Sequence, residues 1–510
     1  MIKYTKRSLH AALASIGMVA AAGTAEAVNV SADGRGQVLL YPYYTTRADS
    51  AGNAYATLLS VVNANAVAKA VRVRFLEGRN GRPVLDSNLF LSPFDVWTAA
   101  VVPDANTGGA KVGTVDRSCT LPAFSASPTT PYIPFGNFSY AGANDDGAGT
   151  GSDRAKEGYF EIIEMASYAS SSVTARAITH VPIVPAPFST PPCGENLNDI
   201  QAMTDAQLPS GGLFGGTTLI NVNSGTDYTA DAVALANFYQ VGANYQVLGT
   251  SLPDLTQAAP PVSTIRAPDG TLYESVWSNG SADAVSALLM HDSLMNEYVL
   301  DTATKSGTDW VVTMPTKRHY VSQGSGNASK LFQRNFNSSV GSCDDLKLNI
   351  FDREERTTRP PLVGPPPPAE VVYSLCWAAT VVAVVGNASP NPMVPSAVFG
   401  STNVSAVPST LLFDTSLQAA QNGWLNMGFP TLIVGANPNV HKLINVGLTS
   451  ISGRGQPTTT ANTTTYVGLP TIGFAASSFS NGTVQVGMPP TTVLSNYGSN
   501  FVHKTNTAIK

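Results

Sequence analysis

Short runs of alternating apolar and polar residues, separated by Gly, Asn, Ser and Pro, occupy most of the chain. A period of two in such runs predicts β-strands. Gln37 to Tyr44 and Thr57 to Val62 are the first two. Val71-Arg72-Val73-Arg74-Phe75 alternates apolar and charged side chains, the pattern of a half-buried strand. Arg79-Asn80-Gly81-Arg82 then supplies a tight turn, and Pro83 to Leu91 the returning strand. Two more hairpins are expected, Tyr159–Met165 with Val173–Val181 and Leu346–Phe351 with Val371–Trp377. Helical spacing is rarer. Val285, Leu288, Leu289, Met295 and Val299 form one apolar stripe, predicting a helix over 281–300 with Ser281 as its N-cap. Shorter helices are expected from Asp231 to Phe238 and from Thr415 to Asn422 before Gly423. The predicted fold class is mainly β: antiparallel, sandwich-like lobes with a few short helices and two disulfides.

The first residues read as a leader rather than as part of that fold. Lys3, Lys6 and Arg7 precede the apolar stretch Leu9 to Ala22, and Ala25-Glu26-Ala27 offers a small-x-small cleavage site. These are the three parts of a secretory signal peptide, here 1–27. The remainder divides into a β-sandwich-like domain at 28–200, a β-rich domain at 201–395 and a β-rich C-terminal region at 396–510. Ala141–Ser152 and Pro182–Pro192 read as connectors. The Pro-rich stretch 359–368 reads as a stiff excursion inside the second domain.

Composition narrows the function classes. Only 12% of the 510 residues are charged, against about 25% in an ordinary soluble domain. The net charge of −5 comes without a basic block, so nucleic acid is an improbable partner. No later segment has the roughly 20 uninterrupted apolar residues of a membrane span. Four cysteines in an exported chain read as disulfides. Cys119 with Cys193 and Cys343 with Cys376 is the expected pairing, since sequence neighbours usually share a domain. Zinc has no ligand spacing to support it.

Catalytic motifs are missing: no GxSxG, HExxH or GxxxxGK[ST] occurs. His180 is expected on a strand face with Thr174, Arg176 and Ile178, and His291 on a helix shoulder beside Asp292. Glu161 and Glu164, three apart in one strand, should point to opposite faces and cannot jointly flank a sugar bond without help from other strands. Asp352, Glu354 and Glu355 with Arg353 and Arg356 suggest a solvated strand end. Asn144, Asp145, Asp146 and Asp153 crowd one loop and are the candidates for Ca²⁺. Lys317, Arg318 and His319 suggest an anion site or, preferably, the charged guard of an edge strand. Tyr41 and Tyr43, on one face by alternation, are candidates for stacking on a sugar or partner, with core packing as the simpler account.

Three phrases carry a resemblance: Glu157-Gly158-Tyr159-Phe160-Glu161-Ile162-Ile163-Glu164-Met165, Thr308-Asp309-Trp310-Val311-Val312-Thr313, and Asn496-Tyr497-Gly498. Together they resemble an uncharacterised group of exported proteobacterial cell-surface-type proteins. The resemblance implies an envelope or extracellular location and brings no catalytic residues. The expected function is an exported, non-catalytic surface component (matrix, filament or adhesive) whose partners are other copies or a surface polymer. The alternatives are a secreted polymer hydrolase and a Ca²⁺- or glycan-binding adhesin.

Overall fold

A computed structural model describes residues 27–124, 131–182, 189–191, 193, 197–322, 331–353, 355, 373–385, 395–408, 421–434, 437–446, 449–452, 458–460 and 463–510. Residues 1–26 of the expected leader, the excursion 359–368 and positions 415–420 lie outside these. Strands make up 49% of the structure and helices 9%. The mainly β, antiparallel fold class is as expected.

The N-terminal lobe is built from β1 (Val38–Thr45), β2 (Ala56–Asn63), β3 (Ala68–Glu77), β4 (Pro83–Leu91), β5 (Val96–Pro103), β6 (Ala110–Gly113), β7 (Glu157–Tyr168), β8 (Gly216–Asn221), β9 (Thr226–Asp231) and β10 (Val233–Ala236). One seven-stranded sheet runs Asn29–Val30, β10, β1, β7, β3, β4 and Thr120–Leu121. The other runs β9, β8, β2, β5, β6 and Tyr132–Pro134, with Leu213–Phe214 also paired to β2. Strands well beyond residue 200 therefore complete this lobe, and the expected boundary there does not coincide with a sheet boundary. The Asp231–Phe238 segment is the strand β10, not a helix, because its apolar residues are drawn into pairing with β1.

The C-terminal lobe contains β11 (Ser293–Val299), β12 (Gly307–Thr313), β13 (Asp344–Asp352), β14 (Tyr373–Leu375), β15 (Ala379–Val385), β16 (Asn422–Gly428), β17 (Ile472–Val486) and β18 (Thr491–Val502). Its main sheets run β14, β13, β16, β11, Lys504–Asn506 and Val404–Pro408, β15, β12, β17, β18. The boundary expected between 395 and 396 is likewise crossed, since β16 pairs β11 and β17 pairs β12. The hairpin expected at Leu346 and Val371–Trp377 is present as β13–β14, with Leu346 opposite Tyr373. β12 is central in its sheet, so the edge-strand account of the residues after it does not apply.

Helices are α1 (Val173–Ile178), α2 (Asp199–Asp205), α3 (Ser281–Leu288) and α4 (Arg318–Val321). The expected strand Val173–Val181 is mostly α1, which Ser172 caps by accepting from Ala175 N. The 281–300 helix ends at Leu288. Its second half is β11, because Met295 and Val299 satisfy strand spacing equally well and find a partner in β16. Ser281 is the first helical residue rather than the cap; Gly280 holds that place, and the Ser281 hydroxyl donates to Ala258 O.

The first sheet is buried on both faces. Leu39, Tyr41, Phe75, Phe160 and Ile162 pack against the second sheet, while Val38, Leu40, Ile163 and Leu235 join Trp310, Val312, Val382 and Leu425 of the other lobe. One core thus spans both lobes. A sheet covered on both sides normally reads as a continuous apolar run. β1 and much of β7 follow that rule, but β3 does not.

Candidate functional site

Arg72 and Arg74, expected at a half-exposed surface, are fully buried. The segment 244–254 covers them. Arg72 donates to Gln246 O and Val247 O. Arg74 meets Asp86 at 2.6 Å and Glu161 at 3.4 Å, and donates to Pro253 O and Ser251 O. Next to it, Arg318 pairs with Asp254 at 3.0 Å. Buried charges survive only with partners, and here carbonyls and carboxylates share the task. Burial pushes Glu161 above its ordinary pKa. On β7, Glu164 instead takes the Lys69 ammonium at 2.7 Å and the Ser210 and Gly211 amides. The two carboxylates are committed to different partners.

Two acidic residues join the lobes. Glu157 accepts from Tyr43 Oη at 2.8 Å, Arg47 Nε at 3.1 Å, Thr402 N at 2.9 Å and Ser401 Oγ. Asp309 accepts from Ser396 Oγ and from the Val398 and Phe399 amides. The segment Ser396–Asn403 is thereby held by a carboxylate from each lobe. Gly400 (φ +64°) completes it, where a side chain would strike Ala48 O. Burial pushes the Asp309 carboxyl up to about 6 despite these donors. No local signal in the sequence marks either residue, because each finds its partners more than 80 positions away.

Lys317 belongs to a third buried set. Its ammonium meets Asp344 at 2.8 Å and donates to Ser342 O and Leu375 O. His441 Nε2 lies 3.3 Å from the other Asp344 oxygen. Burial alone would raise Asp344, but Lys317 and His441 hold it below the usual range. Neither Lys317 nor Arg318 is free to receive an anion.

The tyrosine candidates are core residues. Tyr41 pairs with Phe160 while Tyr44 pairs with Gly158, so β1 carries one extra residue at Pro42-Tyr43. That bulge, at a proline without a ladder donor, puts Tyr41 and Tyr44 in one cluster and Tyr43 in another. Tyr41 and Tyr43 therefore do not share a face as alternation implies. Tyr41 stacks on Phe160 at 4.1 Å, worth roughly 0.5–1.5 kcal/mol.

The loop acids are separated in function. Arg154 clamps Asp146 with two nitrogens at 2.6 and 2.7 Å. Asp153 faces Arg47 and Lys156, Asp145 accepts from Gly147 N and Asn144 donates to Phe138 O. Guanidinium groups already engage the Asp146 and Asp153 carboxylates, and no metal-holding cluster occurs among the described residues. Asn144, Asp145 and Asp146 do line a polar cleft of about 400 Å³ with Asn80, Arg82, Asn337 and Ser338. Asn80 is buried, donates to Asp146, and its Oδ1 has no partner among the described residues.

Histidines do not assemble a relay. His180 follows α1 rather than a strand, with Nδ1 3.3 Å from Ser92 Oγ and 3.7 Å from Asp95. One nitrogen faces both groups, whereas a nucleophilic triad needs one on each side of the ring. His291 and His503 are held at about 4 by burial, and burial also lowers His319, with Arg318 adding to the shift.

Both expected disulfides are present, Cys119–Cys193 and Cys343–Cys376. Such bonds belong to an oxidising compartment. No helix among the described residues is long and apolar enough to cross a membrane. Comparison with family models, curated proteins and solved structures finds no match.

Proposed function

We propose that the protein is an exported, non-catalytic structural or interaction component of the cell surface, a matrix, filament or adhesive element. One observation carries this reading: a good part of a small supply of charge is buried, while large apolar side chains stand on the exterior. Lys69, Arg72, Arg74, Glu77, Glu157 and Glu161 are all buried, although the chain holds only 12% charged residues. A freely diffusing protein keeps its charges outward for solubility. Here Asp33, Arg35, Arg266, Asp269, Lys347 and Lys504 remain on the exterior, but large apolar side chains such as Phe94, Ile200, Val222 and Met488 stand exposed among them, which suits a molecule covered by neighbours. The two disulfides, the tripartite leader and the resemblance to exported surface-type proteins support the same address.

The test is protease shaving of intact cells followed by fractionation. Loss of the full-length band from intact cells supports the proposal. Protection until the outer boundary is broken, with all protein in the soluble fraction, sinks it. The polar cleft, with an Asn80 Oδ1 that has no partner among the described residues, favours one second reading, a glycan-binding adhesin. Calorimetric titration with neutral oligosaccharides, compared between the wild type and Asn80→Ala, decides that reading.

A further inference from the structure

The longest hairpin among the described residues is β17–β18, 15 and 12 residues. Its base is an integral part of the C-terminal lobe, where β17 pairs with β12. Its outer strand then runs along β9 of the N-terminal lobe. There Asn500 Oδ1 accepts from Thr229 N at 3.2 Å while its amide donates to Thr229 O, and Asn496 Nδ2 donates to Ser224 O at 2.8 Å. A bulge at Asn481-Gly482, with Gly482 at φ +81°, separates this base from the distal half of the hairpin.

Beyond the bulge the hairpin projects as an arm. Val484 pairs with Val493 and Val486 with Thr491, so these side chains share one face. That face is open: Val484 is 45% exposed, Val486 46% and Val493 37%, and Met488 at the tip is 99% exposed. β18 is the last strand of its sheet. Its distal residues Thr491–Val493 extend past the last side-chain contacts to β9 and present a backbone edge that is unpaired among the described residues. Natural edges of this kind are normally guarded by Lys, Pro within the strand, or covering structure. This one has no such guard: between Arg454 and Lys504 the chain contains no Asp, Glu, Lys or Arg.

We infer that the arm is a self-association element, whose occupant is the arm of a second copy of this chain, paired edge to edge along β18. The inference rests on the surface-component reading and names its partner. Strand addition supplies the backbone hydrogen bonds that the free edge lacks. A second copy fits better than an unrelated strand because identical chains juxtapose identical residues, which is repulsive for charged edges and neutral for this one. The pairing is antiparallel about a two-fold axis near Thr492-Val493, an isologous contact that closes at two copies. It sets the two Val484, Val486 and Val493 faces side by side as one apolar strip.

The experiment is sedimentation of the disulfide-intact protein across a wide concentration range. The wild type shifts from one to two chain masses as concentration rises. A shortened variant, with residues 484–493 replaced by Asn-Gly to join the paired Thr483 and Leu494, stays at one mass with an unchanged circular dichroism spectrum. Val493→Lys and Val493→Glu each stay monomeric alone, and an equimolar mixture of the two recovers the dimer. A wild type that is monomeric throughout, a shortened variant that still dimerises, or a charge mixture that does not recover would each overturn the inference. Location is read separately by shaving, so a dimer sealed inside the cell refutes the surface reading and leaves the arm standing.

Discussion

Lys317 and Asp344 form a 2.8 Å ion pair with both side chains buried, one residue from the disulfide at Cys343. Removing one member of such a pair leaves an uncompensated charge in low dielectric and costs about 3–5 kcal/mol. Lys317→Met is expected to fall in that range by urea unfolding. The double variant Lys317→Met/Asp344→Leu should lose less than the sum of the two single changes. Additive losses would show that the two side chains act independently.

Glu157→Gln tests the junction between the lobes. The variant keeps the shape but gives up the charge that Arg47 faces and one of the acceptors used by Tyr43, Ser401 and Thr402. Hydrogen bonds to charged groups contribute about 1.5–3 kcal/mol each. The variant should be cut by protease within 396–408 under conditions that spare the wild type. Equal cleavage in both would remove Glu157 as the holder of that segment.

Acid should destabilise the fold through histidine. An unfolded histidine titrates near 6.5, whereas burial holds His291 and His503 at about 4 when folded. Between those values the unfolded chain binds more protons. The stability these residues contribute is present above pH 6.5 and is lost as pH falls toward 4, by up to roughly 3 kcal/mol each. His503→Gln, which can still donate to Val311 O, should flatten the decline in unfolding free energy over that window.

Asp309 carries the opposite sign. Burial raises it from 3.8 to about 6 in the folded chain, so here the native state binds the extra proton. Its contribution is greatest below pH 4 and is lost as pH rises through 6. Asp309→Asn abolishes that titration. Relative to wild type, the variant should gain up to about 3 kcal/mol between pH 4 and pH 7, whatever its stability at either end. A constant difference across the range would contradict the assignment.

Reduction is expected to act on both lobes. In the chain-entropy model, bridges spanning 74 and 33 residues each stabilise by roughly 4 kcal/mol. Melting with and without reductant should show a fall of many degrees, and an unchanged melting temperature would mean the bridges constrain nothing.

Local chemistry was legible where partners lie close in sequence. The β3–β4 hairpin follows from Asn80-Gly81, with Gly81 at φ +63°, and the cysteine pairing follows from proximity. The burial of Arg72 and Arg74 was not legible, because the cover comes from residues 244–254. The end of α3 at Leu288 was hidden by side chains whose spacing suits helix and strand alike. The inversion of Tyr43 depends on a one-residue bulge that alternation cannot express. Nothing near Lys317 marks it for burial, since Asp344 and His441 arrive from other elements.

The amide of Val28 donates to Val262 O, and Thr264 N donates back to Val28 O. The first residue after the expected cleavage site is thus seated by a strand more than 230 positions downstream. Non-local contacts of this reach make for slow folding. The first lobe cannot seat its leading residues until the chain has been made as far as Thr264, about half of its length. Until that strand is made the first residues lack the partner that fixes them, and this edge of the lobe consolidates only afterwards.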